Sequence, residues 1–288
     1  MTAKTTPLSI ILRNRKALAG LGIILFYVAM ALLAPVVSPY SVQYTNPSAF
    51  LLPPSGAHIF GTNTLGQDLF TLDLYGAQVS LIVGLAAAGV AVAVGTVVGL
   101  VSGYLGGIVD EFLMRVVDFF IVIPAIVFMI IIAALLGPSL INVIMVIGLL
   151  SWAPTARIIR SMVLSIREWP FVESAKANNA RSGYIMFRHI FPNVSSVLYG
   201  NAMLAVSSAI FTQAALVFLG VGNVTSISWG GIIRDAYTTG ALSAGDFTYV
   251  IPPGVFIFTL IFGFILLGYA LEEIMNPRLR TMLKEVRQ

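Results

Sequence analysis

Between Asp118 and Arg157 the chain runs 38 residues without a charged side chain. A straight helix of that length would measure about 57 Å, against a hydrocarbon core of about 30 Å. The interval must therefore fold back on itself, and Gly137-Pro138-Ser139 is the turn signal inside it. Other intervals of this kind flank it: 21 uncharged residues over Ala17–Val37, and 36 between Asp73 and Asp110. At 58% hydrophobic and 10% charged residues, with a mean hydropathy of +0.95, the chain departs from soluble proteins, in which about a quarter of residues are charged. The bilayer is the solvent for most of it.

These intervals predict an all-α integral membrane domain of six spans. The first covers 17–37 after a basic tail, 1–16, and with no A-x-A-type site behind it reads as an uncleaved anchor. A loop over 38–78 follows, rich in Pro, Gly, Ser, Thr and Asn. In it Leu65, Leu69 and Leu72 suggest a short surface helix behind caps at Thr62 to Thr64. The remaining residues, 79–288, form the core domain, with a second span at 80–103 and a turn at Gly106-Gly107. Within that span Gly95, Gly99 and Gly103 recur every fourth residue, a spacing that lets a neighbouring helix approach closely. Spans three and four fall at 119–136 and 140–157, span five at 194–219 and span six at 247–271. A polar segment, 158–193, a second Gly/Ser/Thr-rich loop, 220–246, and a tail, 272–288, complete the chain. No internal repeat is evident.

Charge orients this arrangement. Of the 16 Lys and Arg, all but Arg234 fall on one side if the N-terminus is cytoplasmic. Lys and Arg collect on the cytoplasmic side, so both termini are expected inside.

The chemistry that remains is limited. None of Lys4, Lys16, Lys176 and Lys284 follows a Gly, so there is no P-loop to hold a nucleotide. There is no Cys, and His58 and His189 lie on opposite sides of the predicted topology, which leaves no two-His metal site. No G-x-S-x-G nucleophile pattern is present. No Asp, Glu, Lys or Arg is expected at mid-depth, where ion-coupled carriers bind their driving ion. Asp68 and Asp73 read as loop solubilisers, Asp118 as the local helix partner of Arg115, and Trp152 as an interface anchor. Asn201, Ala205, Ser208 and Thr212 share one face of span five, and could line a solute path or hold helices together.

The polar segment carries the most specific pattern. In SIREWPFVESAKANNARSGYIMFRHIFPN, residues 165–193, Pro170 suits the first turn of a short helix and Glu173 is favoured near that start by the helix dipole. Ser174, Ala175 and Ala177 are small enough for close contact with a partner, and Asn178-Asn179 is a stop signal. Ser182 is placed to cap a second short helix, and Pro192 to close the segment. Arg188 and His189 suit either a partner or lipid headgroups.

Glu173-Ser174-Ala175, with Asn179 six residues after the Glu and Ile190-Phe191-Pro192 ending 19 residues after it, resembles the EAA motif of permease subunits of binding-protein-dependent ABC importers. HIFGTNTLGQDLF (58–70), GYLGGIVDEFLMRVVDFFIVIP (103–124), SWAPTARIIRSMVLSIRE (151–168), ALVFLGVG (215–222), Ser228-Trp229-Gly230 and NPRLR (276–280) likewise resemble the second permease subunit of dipeptide and oligopeptide importers. Four positions depart from that pattern. Ser174 replaces an Ala, Asn179 a Gly, and Asn63 and Gln67 stand where the family usually has Asp and Arg.

The resemblance implies a type I ABC importer permease fold in a prokaryotic cell membrane. It implies a partner permease chain, two ATP-binding subunits that carry the ATP and Mg, and an extracytoplasmic solute-binding protein, with no cofactor on this chain and no nucleic acid. Glu173, Ser174, Ala175, Ala177, Asn179, Arg188 and Pro192 would form the ATPase-coupling loop; Asn201, Ser208 and Thr212 would line the pathway. The cargo would be a di- or oligopeptide, with oligosaccharide or nickel as alternatives. A self-contained channel or ion-coupled carrier is the reading from another class.

Overall fold

The computed structural model describes residues 14–222 and 226–275. The basic residues of both tails beyond these limits, and the NPRLR segment, lie outside the described residues. The described chain is helical, with one isolated antiparallel bridge, Thr62 to Asp68. Its helices are α1 (Arg15–Val37), α2 (Leu69–Leu105), α3 (Gly107–Val122), α4 (Ala125–Leu136), α5 (Leu140–Leu150), α6 (Ala153–Ile166), α7 (Pro170–Ala177), α8 (Ser182–Ile185), α9 (Phe191–Phe218), α10 (Trp229–Thr238) and α11 (Ile251–Met275). Five stretches are long and apolar enough to cross a membrane, or six if the bent pair α3–α4 counts as one.

The central helix is α2, 37 residues or about 55 Å long. It starts at Leu69, well before the expected second span, because the Asp68 carboxylate caps it, Oδ2 accepting the Thr71 N–H at 2.8 Å. The expected surface helix is absent: Leu69 and Leu72 form the buried first turn of α2, and Leu65 is exposed in the preceding turn. In that turn Asn63 Oδ1 accepts the N–H groups of Leu65 and Gln67, which holds the backbone away from helix until Asp68.

Gly95, Gly99 and Gly103 set α2 directly against α6. A Cβ at Gly99 would lie 2.6 Å from the Ala156 carbonyl oxygen and 2.7 Å from Ile159 Cβ; at Gly95 it would lie 2.6 Å from the Trp152 carbonyl oxygen. Lipid gives apolar helices no hydrophobic reason to associate, so this backbone approach and its dispersion contacts hold the pair. Gly20 meets the Gly263 carbonyl of α11 in the same way, at 2.6 Å for an added Cβ.

Span three differs from expectation. α3 and α4 meet at 90° around Ile123-Pro124 instead of forming one straight span over 119–136. Pro124 supplies no N–H to continue the helix, and its ring pushes Ile123 to an extended backbone (φ −71, ψ 133). Span four runs from Leu140 to Ile166 across a break at Ser151-Trp152, so Arg157 and Arg160 ride on helix and not in a loop. Trp152 is buried in that break, its ring 5.4 Å from Phe120, and is no interface anchor. Asp118 pairs with Arg157 on α6 at 2.6 Å, while Arg115 faces Glu111 at 3.8 Å.

At the end opposite the basic segments, α10 is buried by its Trp229 face. The indole N–H donates to the Asp73 carbonyl at 3.0 Å, and a Cβ at Gly76 would lie 2.7 Å from the ring. Tyr27 and Phe256 flank the same indole.

The glycine seam yields a paired prediction. Gly99→Leu is expected to cost several kcal/mol through overpacking against α6 and to lower the melting midpoint in detergent clearly. Gly89→Ala in the same helix, where an added Cβ meets nothing within 4 Å, is expected to leave the midpoint unchanged or raise it slightly. Equal effects of the two would remove the seam from its structural role.

Candidate coupling site

The segment singled out in the sequence stands on its own small core. Val172, Ile185, Ile190 and Val194 pack with Leu100 of α2 and Ile159, Val163 and Ile166 of α6, all buried. α7 thus rests on the ends of two spans. Charge pairs brace that base: Arg160 grips Asp110 through two bonds of 2.6 Å, Asp110 also accepts the Ser102 hydroxyl, and Arg167 Nη1 donates to the Gly103 carbonyl at 3.0 Å. The bidentate fork fixes orientation as well as distance.

The turn after α7 is closed by its own backbone. Asn179 N–H donates to the Lys176 carbonyl at 2.9 Å and Ala180 N–H to the Ala175 carbonyl at 3.1 Å. Asn179 adopts φ +55. This is the Schellman closure, in which the left-handed residue is most often Gly and otherwise Asn. Ala175 and Ala180, partly buried, supply its accompanying apolar contact. The Asn178 amide adds a bond to the Ser174 carbonyl at 2.8 Å, and the Ser174 hydroxyl donates to the Pro170 carbonyl at 2.9 Å. The family Gly position is therefore filled by a residue that keeps the turn.

The segment does not end at Pro192. α8 passes through a widened turn over Met186–Ile190 directly into α9, and Phe191 N–H donates to the Met186 carbonyl five residues back. Pro192 lacks an N–H and would crowd the carbonyl four residues before it; the wider turn gives its ring room. Ser182 makes no capping bond; Arg181 holds the cap position.

Glu173, Ser174, Ala177, Asn179, Arg188 and Pro192 are exposed, and Ala175 is half-buried. Trp169, Tyr184 and Phe187 are exposed beside them, at 42%, 55% and 64%. Large aromatic surface next to small residues and one carboxylate, on a fixed base, suits protein contact.

The proposed pathway stripe on α9 is divided. Asn201 Oδ1 accepts the Thr155 hydroxyl at 2.9 Å and so ties α9 to α6, Ser208 is exposed, and Thr212 is half-buried. Asp68 and Asp73 are not solubilisers. Asp68 is 4% exposed, caps α2 and meets His58 Nδ1 at 3.0 Å; Asp73 is 1% exposed. Asn63 Nδ2 donates to Gln67 Oε1 at 2.8 Å, so a neutral amide pair stands where the family usually has Asp and Arg. Among the described residues no three His, Asp or Glu side chains gather as a metal site.

A cavity of about 650 Å³ at the other end of the molecule escaped the sequence reading. Its walls come from the Asn63–Gln67 turn, the end of α9 and α10, and Arg234, Asp235 and Tyr249 face it. The only sequence signal was the isolation of Arg234 from all other basic residues.

Long apolar spans and a polar two-helix element braced between them define a multi-pass membrane protein. Comparison with known proteins gives the family. The family described as binding-protein-dependent transport system inner membrane component matches residues 95–281, and the N-terminal TM domain of oligopeptide transport permease C matches residues 9–54. The chain is 36% identical to the dipeptide transport system permease protein DppC of Alkalihalophilus pseudofirmus, over 93% of this chain and 88% of that protein. It is 34% identical to the oligopeptide transport system permease protein OppC of Bacillus subtilis, over 93% and 87%. The chain belongs to the binding-protein-dependent transport system inner membrane component family, as a multi-pass protein of the prokaryotic cell membrane.

The turn at Asn179 can be tested alone. Asn179→Gly is expected to keep the loop and its protection from hydrogen exchange. Asn179→Val, a β-branched residue at positive φ, is expected to cost about 1–2 kcal/mol and to speed exchange over 172–185. No difference between the two would mean that the turn does not hold the loop.

Proposed function

We infer that this chain is one permease subunit of an ATP-driven importer of di- or oligopeptides. It works with a second, homologous permease chain, two ATP-binding subunits and an extracytoplasmic solute-binding protein, and it catalyses no bond change itself. The observation that carries this reading is the exposed α7 surface on a braced base at the basic end of the molecule. The peptide cargo is supported by the names of the relatives, which are dipeptide and oligopeptide transport permeases.

The coupling role follows from the mechanics of the loop. A partner groove would receive the exposed α7, with Glu173 as the charged contact, Ala177 and half-buried Ala175 allowing close approach, and Arg188 at the rim. Because the turn at Asn179 is closed and α8 runs into α9, a push on α7 moves a membrane helix and does not merely bend a loop. ATP binding closes the two soluble subunits, the loop follows, and the solute pathway changes the side it faces.

Glu173→Arg is expected to leave membrane insertion and assembly with the sister permease intact and to abolish solute-stimulated ATPase activity of the reconstituted complex. Normal stimulation in that variant would take Glu173 out of the coupling contact. Peptide uptake by this chain alone in proteoliposomes, without ATP or partners, would sink the whole reading.

A further inference from the structure

The cavity at the end away from the coupling loop holds two charged side chains on one face of α10, and they are in different situations. Gly231, Arg234, Asp235 and Thr238 are spaced three, four and seven residues apart and all line it. Asp235 is engaged, its Oδ2 accepting the Tyr249 hydroxyl. Arg234 has no ion-pair partner among the described residues. Its guanidinium lies across Gly220, where an added Cβ would come within 2.9 Å of Nη2 and 3.1 Å of Cζ. Gly220, at φ +97, is thus the floor that leaves room for the planar head.

The opposite wall offers Arg234 no carboxylate. Asn63 and Gln67 are neutral and spend their amides on each other, on backbone N–H groups, and on the Val42 carbonyl at 3.0 Å. Leu72, Val217 and Ile232 make the rest of the lining partly apolar. A half-buried guanidinium presents five N–H donors in a fork that matches a carboxylate, and a mixed apolar cavity of this size is in the range that takes small ligands.

We propose that this cavity is a subsite for the solute, in which Arg234 receives the free carboxylate of a short peptide. The proposal rests on the importer reading given above. It adds to that reading a contact on the permease itself, distinct from recognition by the binding protein. Asp235 is held by the Tyr249 hydroxyl and forms no salt bridge with Arg234, so the guanidinium fork is left to face the cavity.

The test uses the assembled importer in proteoliposomes, with its binding protein. It follows uptake of one short peptide as the free acid and as the C-terminal amide, a pair chosen so that the binding protein binds both. Arg234→Gln is expected to raise KM for the acid about tenfold and to change KM for the amide less than twofold. Arg234→Lys keeps the charge and loses the fork, and is expected to weaken the acid a few-fold. That variant also answers the question if the Gln variant does not assemble. Equal losses for acid and amide would overturn the proposal and point to docking of the binding protein at this face; unchanged acid-to-amide ratios in both variants would overturn it too. If the wild-type complex takes up no peptide with ATP, the importer reading itself fails, and that failure shows before any variant is made.

Discussion

The close approach of α2 and α6 is the constraint on which the rest of this structure depends. In lipid, two apolar helices gain nothing from hiding from the solvent, so their association rests on how near the backbones come. Gly95, Gly99 and Gly103 leave α2 without a Cβ at three points of the seam, and the carbonyls of Trp152, Ala156 and Arg160 and the Cβ atoms of Thr155, Ile159 and Val163 occupy that space. This contact fixes where α6 ends relative to α2. From there Arg160 reaches Asp110, Arg167 reaches the Gly103 carbonyl, and Ile159 and Val163 present the apolar floor on which Val172 sits. The loop has a defined base because a glycine row in the bilayer sets its two supports at one separation.

The loop itself shows how a motif tolerates substitution. What the position after α7 requires is a left-handed backbone that returns two N–H groups to the last carbonyls of the helix. Asn179 meets that requirement at φ +55, with both bonds in place. Ser174 in place of Ala does not disturb the helix either, since its hydroxyl folds back onto the Pro170 carbonyl. The neutral Asn63–Gln67 pair makes the same point at the other end: the two side chains still meet, and the contact needs no charge.

Much of this was legible in the sequence because bilayer thickness is a hard ruler. An uncharged interval too long for one crossing must turn, and Gly137-Pro138-Ser139 was the visible place, where Gly137 has φ +82. The glycine row and the stop at Asn178-Asn179 were legible for a similar reason, since each is a local backbone requirement written in one or two residues. What was not legible depended on partners distant in sequence. Asp118 was assigned to Arg115 three residues away, yet its partner is Arg157, placed beside it by the packing of α3 on α6. Asp73 reads as a loop solubiliser in the sequence, yet the cap at Asp68 places it, buried, in the second turn of α2. The 90° bend at Pro124 was hidden because nothing in an apolar run says whether a proline will kink a span or break it. The cavity around Arg234 is assembled from three separate segments, so no single stretch announces it.

The course of α8–α9 connects the two ends of the molecule. From Ser182 to Phe218 the helical chain is 37 residues, about 55 Å, beginning in the coupling loop and ending beside Gly220 under the Arg234 side chain. Gly200 lies midway, and there the backbones of α9 and α11 meet: a Cβ at Gly200 would lie 3.2 Å from the Gly268 carbonyl, and one at Gly268 would lie 3.1 Å from that of Gly200. The neighbouring Asn201 is tied to Thr155 of α6. Beyond that point α9 stays packed along its length, with Ile210 against Gly84 of α2 and the Ala214 carbonyl against Gly230 of α10. Under the proposed alternating access, motion of the loop would therefore be passed on to α2, α10 and α11 together, and with them to the wall at Val217–Gly220. The cavity would widen or narrow in step with the ATP-binding subunits, without a separate gate. The irregular point in this course is the widened turn at Met186–Ile190, where the Phe191 N–H reaches the Met186 carbonyl five residues back. Pro192 keeps that turn at the loop end, and from Phe191 to Phe218 α9 continues as one unbroken helix.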